Sequence, residues 1–325
     1  MPKLVSILIP CYNAEPWLAG TLESALAQTW PDREIIVVND GSKDGSLEVA
    51  RRFSSRGVIV IDQPNQGQSA AFNRAIAVAR GEYYEFLDAD DLLAPDKIER
   101  QMALLGDGSD EVMICGAWSR FHTDPGAAPF SPEPIWQDHL APVDWLVCSW
   151  SGGGMMHGAA WLVPAALVRR EGGWNPELSL INDFEFFTRL MLKTKEVRFC
   201  AAARSYYRSN LPNSLSNDTT PRGWSSAYTA LNFGTSRLLA AEDSPRTRQA
   251  CAAVFRNFYF QSYPDVPDLG AKVKVRIAQL GHALGKPRGG PALKAVALVL
   301  GWRLAKRLQR FAYRRGYKRW FARSS

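Results

Sequence analysis

The sequence predicts an α/β fold with a mostly parallel sheet covered by helices on both faces. Four short segments, at 4–10, 34–38, 58–61 and 83–87, are apolar along nearly their whole length. Segments with helical periodicity alternate with them along the chain. Strands of parallel sheets are buried on both faces, so they are typically apolar throughout. The alternation therefore indicates strands joined by crossover helices.

The predicted helices follow from apolar residues spaced three or four positions apart. The first spans 15–28, with Leu18, Leu22 and Leu26 on one face and Asn13 as a candidate N-cap. Further helices are predicted at 47–53, at 68–80, after Pro95, at 180–192, and as a pair across 222–263 that breaks near 243–245. A strand is predicted at 197–201.

Composition indicates a globular protein with more than one structural unit. The 325 residues are 46% hydrophobic and 22% charged, and single cores rarely grow beyond about 250–300 residues. We predict a main domain at 1–215, a helical subdomain at 216–268 and a basic helical tail at 269–325. The five cysteines are widely spaced without a Cys-x-x-Cys pair, which argues against disulfides and structural zinc. The first residues do not resemble a signal peptide, so we expect a cytoplasmic protein.

Three carboxylates are crowded at the end of the fourth predicted strand. Asp88, Asp90 and Asp91 follow directly after Leu87. A capping role explains a single aspartate such as Asp91, but three together repel one another unless a cation lies nearby. Mg²⁺ typically takes one or two carboxylates and completes its shell with water and substrate phosphates. The stretch therefore indicates a divalent-cation site.

Other polar residues follow the first two predicted strands. Tyr12 and Asn13 come after strand one and Asp40 after strand two. In parallel sheets, ligands bind at the carboxyl ends of the strands, so these residues and the three carboxylates should share one edge. Neither the dinucleotide-binding glycine pattern nor a Walker motif is present. A nucleotidyltransferase is disfavoured for the same reason, since no early basic phosphate-binding loop is found.

Four blocks of sequence together resemble a known family. They are VSILIPCYNAEPWL, EIIVVNDGSKDGS, NQGQSAAFNRAIAVARGEYYEFLDADD and GGWNPELSLINDFEFFTRL. In their order and spacing they are similar to a family 2 glycosyltransferase with the Rossmann-like GT-A fold. The chain lacks the Gln-x-x-Arg-Trp motif of processive members, so the resemblance implies a non-processive enzyme.

The resemblance implies roles for the residues that surround the donor. Pro10, Tyr12, Asn13 and Asp40 would hold the base of a UDP- or dTDP-sugar, although Asp40 alone is also an ordinary turn residue. A carboxylate accepts the imide N–H of uracil or thymine. Asn39 stands where the family usually has a second acid.

The Asp88-Ala89-Asp90 stretch would then bind the rest of the donor. The resemblance places Asp88 near the ribose and Asp90 on a Mn²⁺ or Mg²⁺ that bridges the diphosphate, with Asp88 as the second candidate metal ligand. Arg208 is a candidate contact to the diphosphate, and a solvent-exposed arginine is the alternative.

The acceptor side of the site is implied by the last block. Asp183 matches the acid that deprotonates the acceptor hydroxyl in the family, while N-capping by Asn182 or Asp183 is the structural alternative. Asn182 replaces the usual Glu. One base without a nucleophile implies inversion at the anomeric carbon. Trp150, Met155, Met156 and His157 line an acceptor pocket or belong to the core.

The tail carries the positive charge of the chain. From Leu269 onward there are 15 Lys or Arg and no acid, although the net charge of the whole chain is only +7. Apolar residues at helical spacing from Leu293 predict an amphipathic cationic helix with Trp302, Tyr313, Tyr317, Trp320 and Phe321 at its margins. We expect it to bind an anionic membrane surface as a peripheral element. Nucleic acid is the less favoured partner.

The sequence thus yields two functional hypotheses. The first is an inverting, metal-dependent transferase that moves a sugar from a nucleotide diphosphate to a saccharide or lipid-linked acceptor in surface polysaccharide or glycoconjugate synthesis. The second is a catalytically silent protein that only binds nucleotide sugars. Retention of both Asp90 and Asp183 favours the first. The sequence does not indicate the sugar, the linkage or the oligomeric state.

Overall fold

The described residues form an eight-stranded sheet flanked by helices, followed by four helices. The computed structural model describes residues 3–105, 110–211, 214–287 and 290–314. The first half contains β1 (Val5–Cys11), α1 (Glu15–Leu26), β2 (Arg33–Asp40), α2 (Ser46–Arg52), β3 (Val58–Gln63), α3 (Gln68–Val78) and β4 (Tyr83–Phe86). This alternation of strands and helices confirms the sequence prediction.

The second half of the sheet domain is less regular. It contains β5 (Leu92–Leu93), α4 (Lys97–Leu105), β6 (Val112–Phe121), α5 (Pro142–Cys148), β7 (Trp161–Pro164), α6 (Ala165–Glu171), α7 (Asn182–Met191) and β8 (Glu196–Arg208). Strands β5, β6 and β7 were not predicted. β5 has only two residues, and β7 has four, which is too short to display a period.

The strand order is β3-β2-β1-β4-β7-β6-β8-β5. Strands β1 to β4, β6 and β8 run in one direction, while β7 and β5 pair antiparallel to their neighbours. The predicted mostly parallel sheet is therefore confirmed. Because β2, β1 and β4 are adjacent and parallel, the residues that follow them meet at one edge of the sheet.

Both faces of the central strands are buried. Leu8 and Phe86 pack into one apolar cluster, and Ile7 and Ile9 pack into the cluster on the opposite face. Every residue of β1 is buried. This burial on two sides explains why the strand is apolar without alternation.

The start of α1 differs from the prediction. The predicted cap, Asn13, has a left-handed φ of 51° and its Oδ1 accepts a hydrogen bond from the backbone N–H of Lys43 at 2.8 Å. The residue at the N-cap is Ala14, and the helix ends at Leu26 rather than at 28. The prediction that Asn13 caps α1 is wrong, because its side chain joins two loops at the sheet edge instead.

Four helices follow the sheet domain: α8 (Pro221–Ala241), α9 (Pro245–Ser262), α10 (Pro267–Gln279) and α11 (Pro291–Arg314). The predicted break near 243–245 is confirmed, since Ser244 caps α9 through a capping box with Thr247. The predicted boundary between 268 and 269 lies in the first turn of α10. The division of the chain into three units stays a prediction.

Helix α11 packs on α9 through a face that contains Trp302, Ala305 and Gln309. Trp302 contacts the rings of Tyr259, Phe260 and Tyr263, and Ala305 is fully buried. Arg310 donates from Nε to Oδ2 of Asp265 at 2.7 Å. The apolar residues of the predicted stripe, Leu300, Leu304, Leu308 and Phe311, are exposed.

Part of the predicted margin of the tail helix lies beyond the part of the chain that the structure describes. Arg315, Tyr317, Trp320 and Phe321, and the side chains of Tyr313 and Arg314, lie outside the described residues. In the described part of the chain, none of the helices combines the length and apolar character that crossing a bilayer requires.

Candidate active site

Asp40 ends β2 and organises the loop that leads into α3. Its carboxylate is 2% exposed and accepts hydrogen bonds from the backbone N–H groups of Gln66 at 2.9 Å and Gly67 at 2.8 Å, and from Nε2 of Gln63 at 2.8 Å. Charge-assisted bonds of this kind are stronger than neutral ones. Asp40 therefore holds the loop at the sheet edge. Its predicted contact to a nucleotide base stays a prediction.

Gly41 allows the loop after β2 to approach the loop after β3 closely. Its φ is +70°, and a Cβ added there would lie 2.7 Å from the backbone nitrogen of Asn65. The Asn65 side chain donates to the carbonyl oxygen of Asp40 at 2.8 Å. The two loops at the ends of β2 and β3 are thus in direct contact.

The residues after β1 form the outer wall of this edge. Pro10 is buried in β1 opposite Val38. The Tyr12 ring is 48% exposed, and the backbone N–H of Asn13 donates to Oγ of Ser42 at 3.0 Å. The exposed Tyr12 ring is available for stacking on a planar ligand, whereas Pro10 contributes to the strand itself.

Four carboxylates are concentrated where β4 ends. Burial, followed by the negative charges of Asp91, Asp90 and Asp183, raises the pKa of Asp88 well above its usual range. Burial and the neighbouring Asp91 raise the pKa of Asp90 to about 7. These shifts mean that the site favours either bound protons or a bound cation. Asp183 lies at least 92 positions along the sequence from the other three. It therefore comes close to them only through the tertiary fold.

Arg208 is one of the basic residues that the fold brings to this loop. Its Nε donates to the carbonyl oxygen of Asp90 at 2.8 Å, and its backbone N–H donates to Oδ1 of Asp91 at 2.8 Å. The guanidinium lies 4.3 Å from the centre of the Phe121 ring. Arg208 therefore holds the acidic loop against β8. Its predicted contact to a diphosphate stays a prediction.

Ala89 and Asp91 are tied to α1 by one hydroxyl. Oγ1 of Thr21 lies 2.9 Å from the carbonyl oxygens of both residues. Ala89 is nearly buried, so its part in the loop is a close backbone approach rather than a side-chain contact. The acidic loop is thereby fixed from the helix side and from the β8 side.

His157 lies beneath the acidic loop rather than in it. Its Nδ1 is 3.4 Å from Oδ2 of Asp91, and its Nε2 lies 2.9 Å from Oγ of Ser205. Burial lowers the pKa of His157 to about 3. The imidazole is therefore neutral at neutral pH.

Asp183 stands in the first turn of α7, facing the other acids. Its Oδ1 accepts a hydrogen bond from the backbone N–H of Phe184 at 2.9 Å, and its own N–H donates to Oδ1 of Asn182 at 3.0 Å. Burial raises the pKa of Asp183. A carboxylate with a raised pKa is a stronger base than an ordinary aspartate and is suited to accept a proton.

A chain of side-chain hydrogen bonds joins α7 to the acidic loop. Nδ2 of Asn182 donates to Oε1 of Gln68 at 3.1 Å and to Oγ of Ser69 at 3.0 Å. Nε2 of Gln68 then donates to Oδ1 of Asp88 at 2.7 Å. Asn182 thus replaces the acid that the family resemblance implies with a hydrogen-bond donor that orients Gln68.

Sequence reasoning missed two residues of the site. Gln68 begins α3 and was assigned only to a helix, although a polar residue at the start of a helix that faces a sheet edge is a weak signal. Arg120 lies on β6, which was not predicted. Its guanidinium stacks 4.8 Å from the centre of the Tyr207 ring, and its charge acts on Asp91.

The predicted acceptor residues divide into two groups. Trp150 and Met156 are buried, and Trp150 stacks on Phe184 with ring centres 4.7 Å apart. Met155 is 44% exposed, while its carbonyl oxygen accepts from Nε1 of Trp118 at 3.0 Å. Packing therefore accounts for Trp150 and Met156, and Met155 remains a candidate contact to an acceptor.

The acidic loop fits a divalent cation that is also bound by a ligand. Among the described residues, no three His, Cys, Asp or Glu side chains converge into a metal cage. Mg²⁺ and similar hard ions commonly take only one or two carboxylates and complete their shell with phosphates and water. Burial, followed by the charge of neighbouring carboxylates, raises the pKa of Asp88 and of Asp90, and a bound cation would stabilise the ionised forms of both groups.

Comparison with known proteins agrees with this architecture. Residues 6–156 match the profile of glycosyl transferase family 2. An uncharacterized glycosyltransferase of Rickettsia typhi is 30% identical over 190 residues, which is 58% of each chain. A putative glycosyltransferase of Bacillus subtilis, EpsH, is 40% identical over 119 residues, which cover 36% of this chain and 34% of EpsH. The matched region is thus less than two thirds of the length of these relatives.

The fold of a solved structure extends the similarity over almost the whole chain. S. aureus TarS 1–349, crystallised with UDP-GlcNAc, superposes with a TM-score of 0.71 at 16% identity and covers 96% of this chain and 92% of that one. At this identity the similarity concerns the fold. The profile match supports a glycosyl transferase family 2 domain at residues 6–156, and the fold similarity extends over the helices that follow.

Proposed function

We propose that the protein is an inverting glycosyltransferase that moves a sugar from a UDP- or dTDP-linked donor to a hydroxyl of a saccharide or lipid-linked acceptor. One observation carries the proposal: the fold brings Asp183, from a distant helix, into the electrostatic range of Asp88, which lies in the same loop as Asp90. A folded protein gains no stability from this crowding of acids. The arrangement is explained by a cationic or phosphate-bearing ligand together with a base.

The reaction requires one proton acceptor and one leaving group. The Asp183 carboxylate takes the proton of the acceptor hydroxyl, and the hydroxyl oxygen forms a bond to the anomeric carbon. The bond from that carbon to the diphosphate oxygen breaks, and the nucleoside diphosphate leaves with the electron pair. Because a single displacement occurs without an enzyme nucleophile, the configuration at the anomeric carbon inverts.

The remaining residues bind and orient the donor. Asp40 holds the loop at 64–67 against the nucleotide edge, and the exposed Tyr12 ring stacks on the base. Asp88 and Asp90 would hold a Mn²⁺ or Mg²⁺ ion, which as a Lewis acid supplies stabilisation of negative charge on the diphosphate. A solved mannosyltransferase of Pyrobaculum calidifontis, similar in fold with a TM-score of 0.54 at 18% identity, contains GDP-Man and Mn²⁺.

The cellular setting of the proposal is the inner face of the membrane, in surface polysaccharide or glycoconjugate synthesis. Its support is the tail, where Leu298 and Val299 are 88% and 80% exposed beside a run of basic residues. Exposed apolar side chains next to Lys and Arg favour an anionic interface. A peripheral position would bring the enzyme close to lipid-linked acceptors.

The test is a panel of nucleotide sugars in which release of the nucleoside diphosphate is measured with Mn²⁺ and after chelation. We expect turnover with a uridine or thymidine donor and its loss when the metal is removed. Asp183→Asn should lower kcat by about 10²–10⁴-fold, the usual range for general-base catalysis, while donor binding by calorimetry persists. Asp90→Ala should abolish turnover and metal-dependent donor binding.

The outcomes separate the two hypotheses. Binding of a nucleotide sugar without turnover on any acceptor extract would support the catalytically silent binding protein. Full activity of Asp90→Ala in chelated buffer would remove the metal from the proposal, and full activity of Asp183→Asn would remove the base. Asn175→Asp, outside α7, serves as a control for nonspecific effects of a changed side chain.

A further inference from the structure

A cavity of about 150 Å³ lies between α9, α10 and α11, on the helical region rather than at the sheet edge. Its lining includes Tyr259, Tyr263, Pro264, Gly270, Lys274 and Arg307. The cavity has room for a group the size of a phosphate.

The charged groups that line this cavity are both cationic. Lys274 comes from α10, where its Nζ lies 5.5 Å from the centre of the Tyr259 ring, and Arg307 comes from α11. The nearby acid, Asp265, is engaged by Arg310, whose Nε donates to it at 2.7 Å. Two cations contributed by different helices, beside an already paired acid, favour an anionic ligand.

The cavity lies beside an exposed apolar stripe. Leu304, Leu308 and Phe311 follow one another at helical spacing on α11 and are 43%, 42% and 56% exposed. On a helix with 100° per residue, Arg307 lies at the edge of this stripe, and Ala305 and Gln309 lie on the buried side. Arg307 therefore borders both the cavity and the stripe.

We propose that this cavity binds the phosphate of an anionic phospholipid while the stripe of Leu304, Leu308 and Phe311 enters the membrane interface. The inference rests on the membrane association proposed above and adds a defined headgroup site to it. The phosphate accepts hydrogen bonds from Lys274 and Arg307, and the adjoining acyl chains cover the leucines. Charge complementarity selects the anionic bilayer as the occupant.

The experiment measures binding of the full chain to vesicles of phosphatidylcholine with and without phosphatidylglycerol. Lys274→Gln with Arg307→Gln forms the test pair, and Lys272→Gln with Arg303→Gln, on the same two helices, forms the control pair of equal charge. We expect the test pair to weaken binding to anionic vesicles at least tenfold more than the control pair. Leu304→Ser with Leu308→Ser should weaken binding to a similar extent. Circular dichroism and thermal unfolding establish that each variant is folded.

The results test the headgroup site and the membrane association separately. Equal weakening by the test and control pairs would overturn the headgroup site and leave general electrostatic association. Absence of wild-type binding to anionic vesicles would overturn both the site and the membrane association. Inorganic phosphate at constant ionic strength should compete with the vesicles. Release of the wild-type protein, without release of the test pair, would support the site. We expect the test pair to hydrolyse the donor in solution at the wild-type rate. The vesicle-binding result then does not depend on the transferase proposal.

Discussion

Gln68 donates a hydrogen bond from Nε2 to Oδ1 of Asp88 at 2.7 Å, although α3 and the loop after β4 are separate elements at the sheet edge. The same amide accepts a hydrogen bond from Asn182 through its Oε1. One neutral side chain therefore connects the first turn of the base-bearing helix with an acid of the donor site. Its amide also offsets part of the negative charge without contributing an ion.

The first prediction concerns this amide. Gln68→Leu removes the bond to Asp88 and also removes the oxygen that accepts a hydrogen bond from Nδ2 of Asn182. Hydrogen bonds to charged groups contribute about 1.5–3 kcal/mol, so kcat/KM should fall by at least about tenfold. Steady-state kinetics with a fixed acceptor would measure this. Gln66→Leu, with an exposed side chain in the same loop, should change kcat/KM less than threefold, and an equal loss in both variants would contradict the role of Gln68.

The second prediction concerns pH. Burial raises the pKa of Asp183, and only its ionised form accepts a proton, so activity should fall as pH decreases through that raised pKa. The acidic limb of the kcat/KM profile should therefore lie above the ordinary aspartate value of about 3.9.

Asn182→Asp tests the origin of this limb. It places a second carboxylate beside Asp183 and removes the donor to Gln68, so the pKa of Asp183 rises further and the limb moves to higher pH. The alkaline plateau should change less than the acidic limb. Asn175→Asp preserves the oxygen that accepts from the N–H of Glu177 and should leave the profile in place. An unchanged limb in Asn182→Asp would assign the titration to another group.

The third prediction concerns Asp40. Asp40→Asn retains one acceptor oxygen, whereas the loop offers two backbone N–H groups and the amide of Gln63. We expect the free energy of unfolding to fall by about 1.5–3 kcal/mol, the range for a hydrogen bond to a charged group. The affinity for UDP should decrease with it. Urea unfolding and calorimetry measure the two effects.

Asp62→Asn is the comparison for Asp40, because Asp62 is exposed at the end of β3 and accepts from Nδ2 of Asn39 at 2.7 Å. It should cost less than about 1 kcal/mol, as expected for a typical solvent-accessible hydrogen bond. A stable Asp40→Asn protein that has lost UDP affinity would show that Asp40 contacts the nucleotide directly rather than through the loop.

The fourth prediction concerns a buried ion pair behind the site. Glu85 on β4 and Lys97 on α4 are both fully buried and bonded to each other. Burial raises the pKa of Glu85 to about 7 and lowers the pKa of Lys97. Both shifts show that desolvation opposes the charged forms.

Removing one partner of this pair should destabilise the fold strongly. Glu85→Leu leaves an unpaired buried ammonium and should lower the free energy of unfolding by about 3–5 kcal/mol. The double variant Glu85→Leu with Lys97→Met should be less destabilised than Glu85→Leu or Lys97→Met alone. Denaturant unfolding of the four proteins in a double-mutant cycle measures this. A double variant less stable than both single variants would contradict the desolvation argument.

Local sequence determined the first half of the sheet domain and the sheet edge at which Asp40 and Asp88 lie. The apolar runs at β1, β2, β3 and β4 predicted parallel strands, and their order placed Asp40 and Asp88 at one edge, as the structure confirms. The strand predictions were correct because strands that are buried on both faces are apolar along nearly their whole length. The four sequence blocks added the family, which the profile match supports.

Tertiary structure decided the rest. β5 and β7 are strands because they pair with β8, β4 and β6 from elsewhere in the chain, and such pairing leaves little local pattern. The contact of Gln68 with Asp88, and the place of Arg310 on the inner side of α11, depend on partners distant in sequence. Periodicity reports which residues share a face, but packing between elements determines which face is buried and which polar atoms meet.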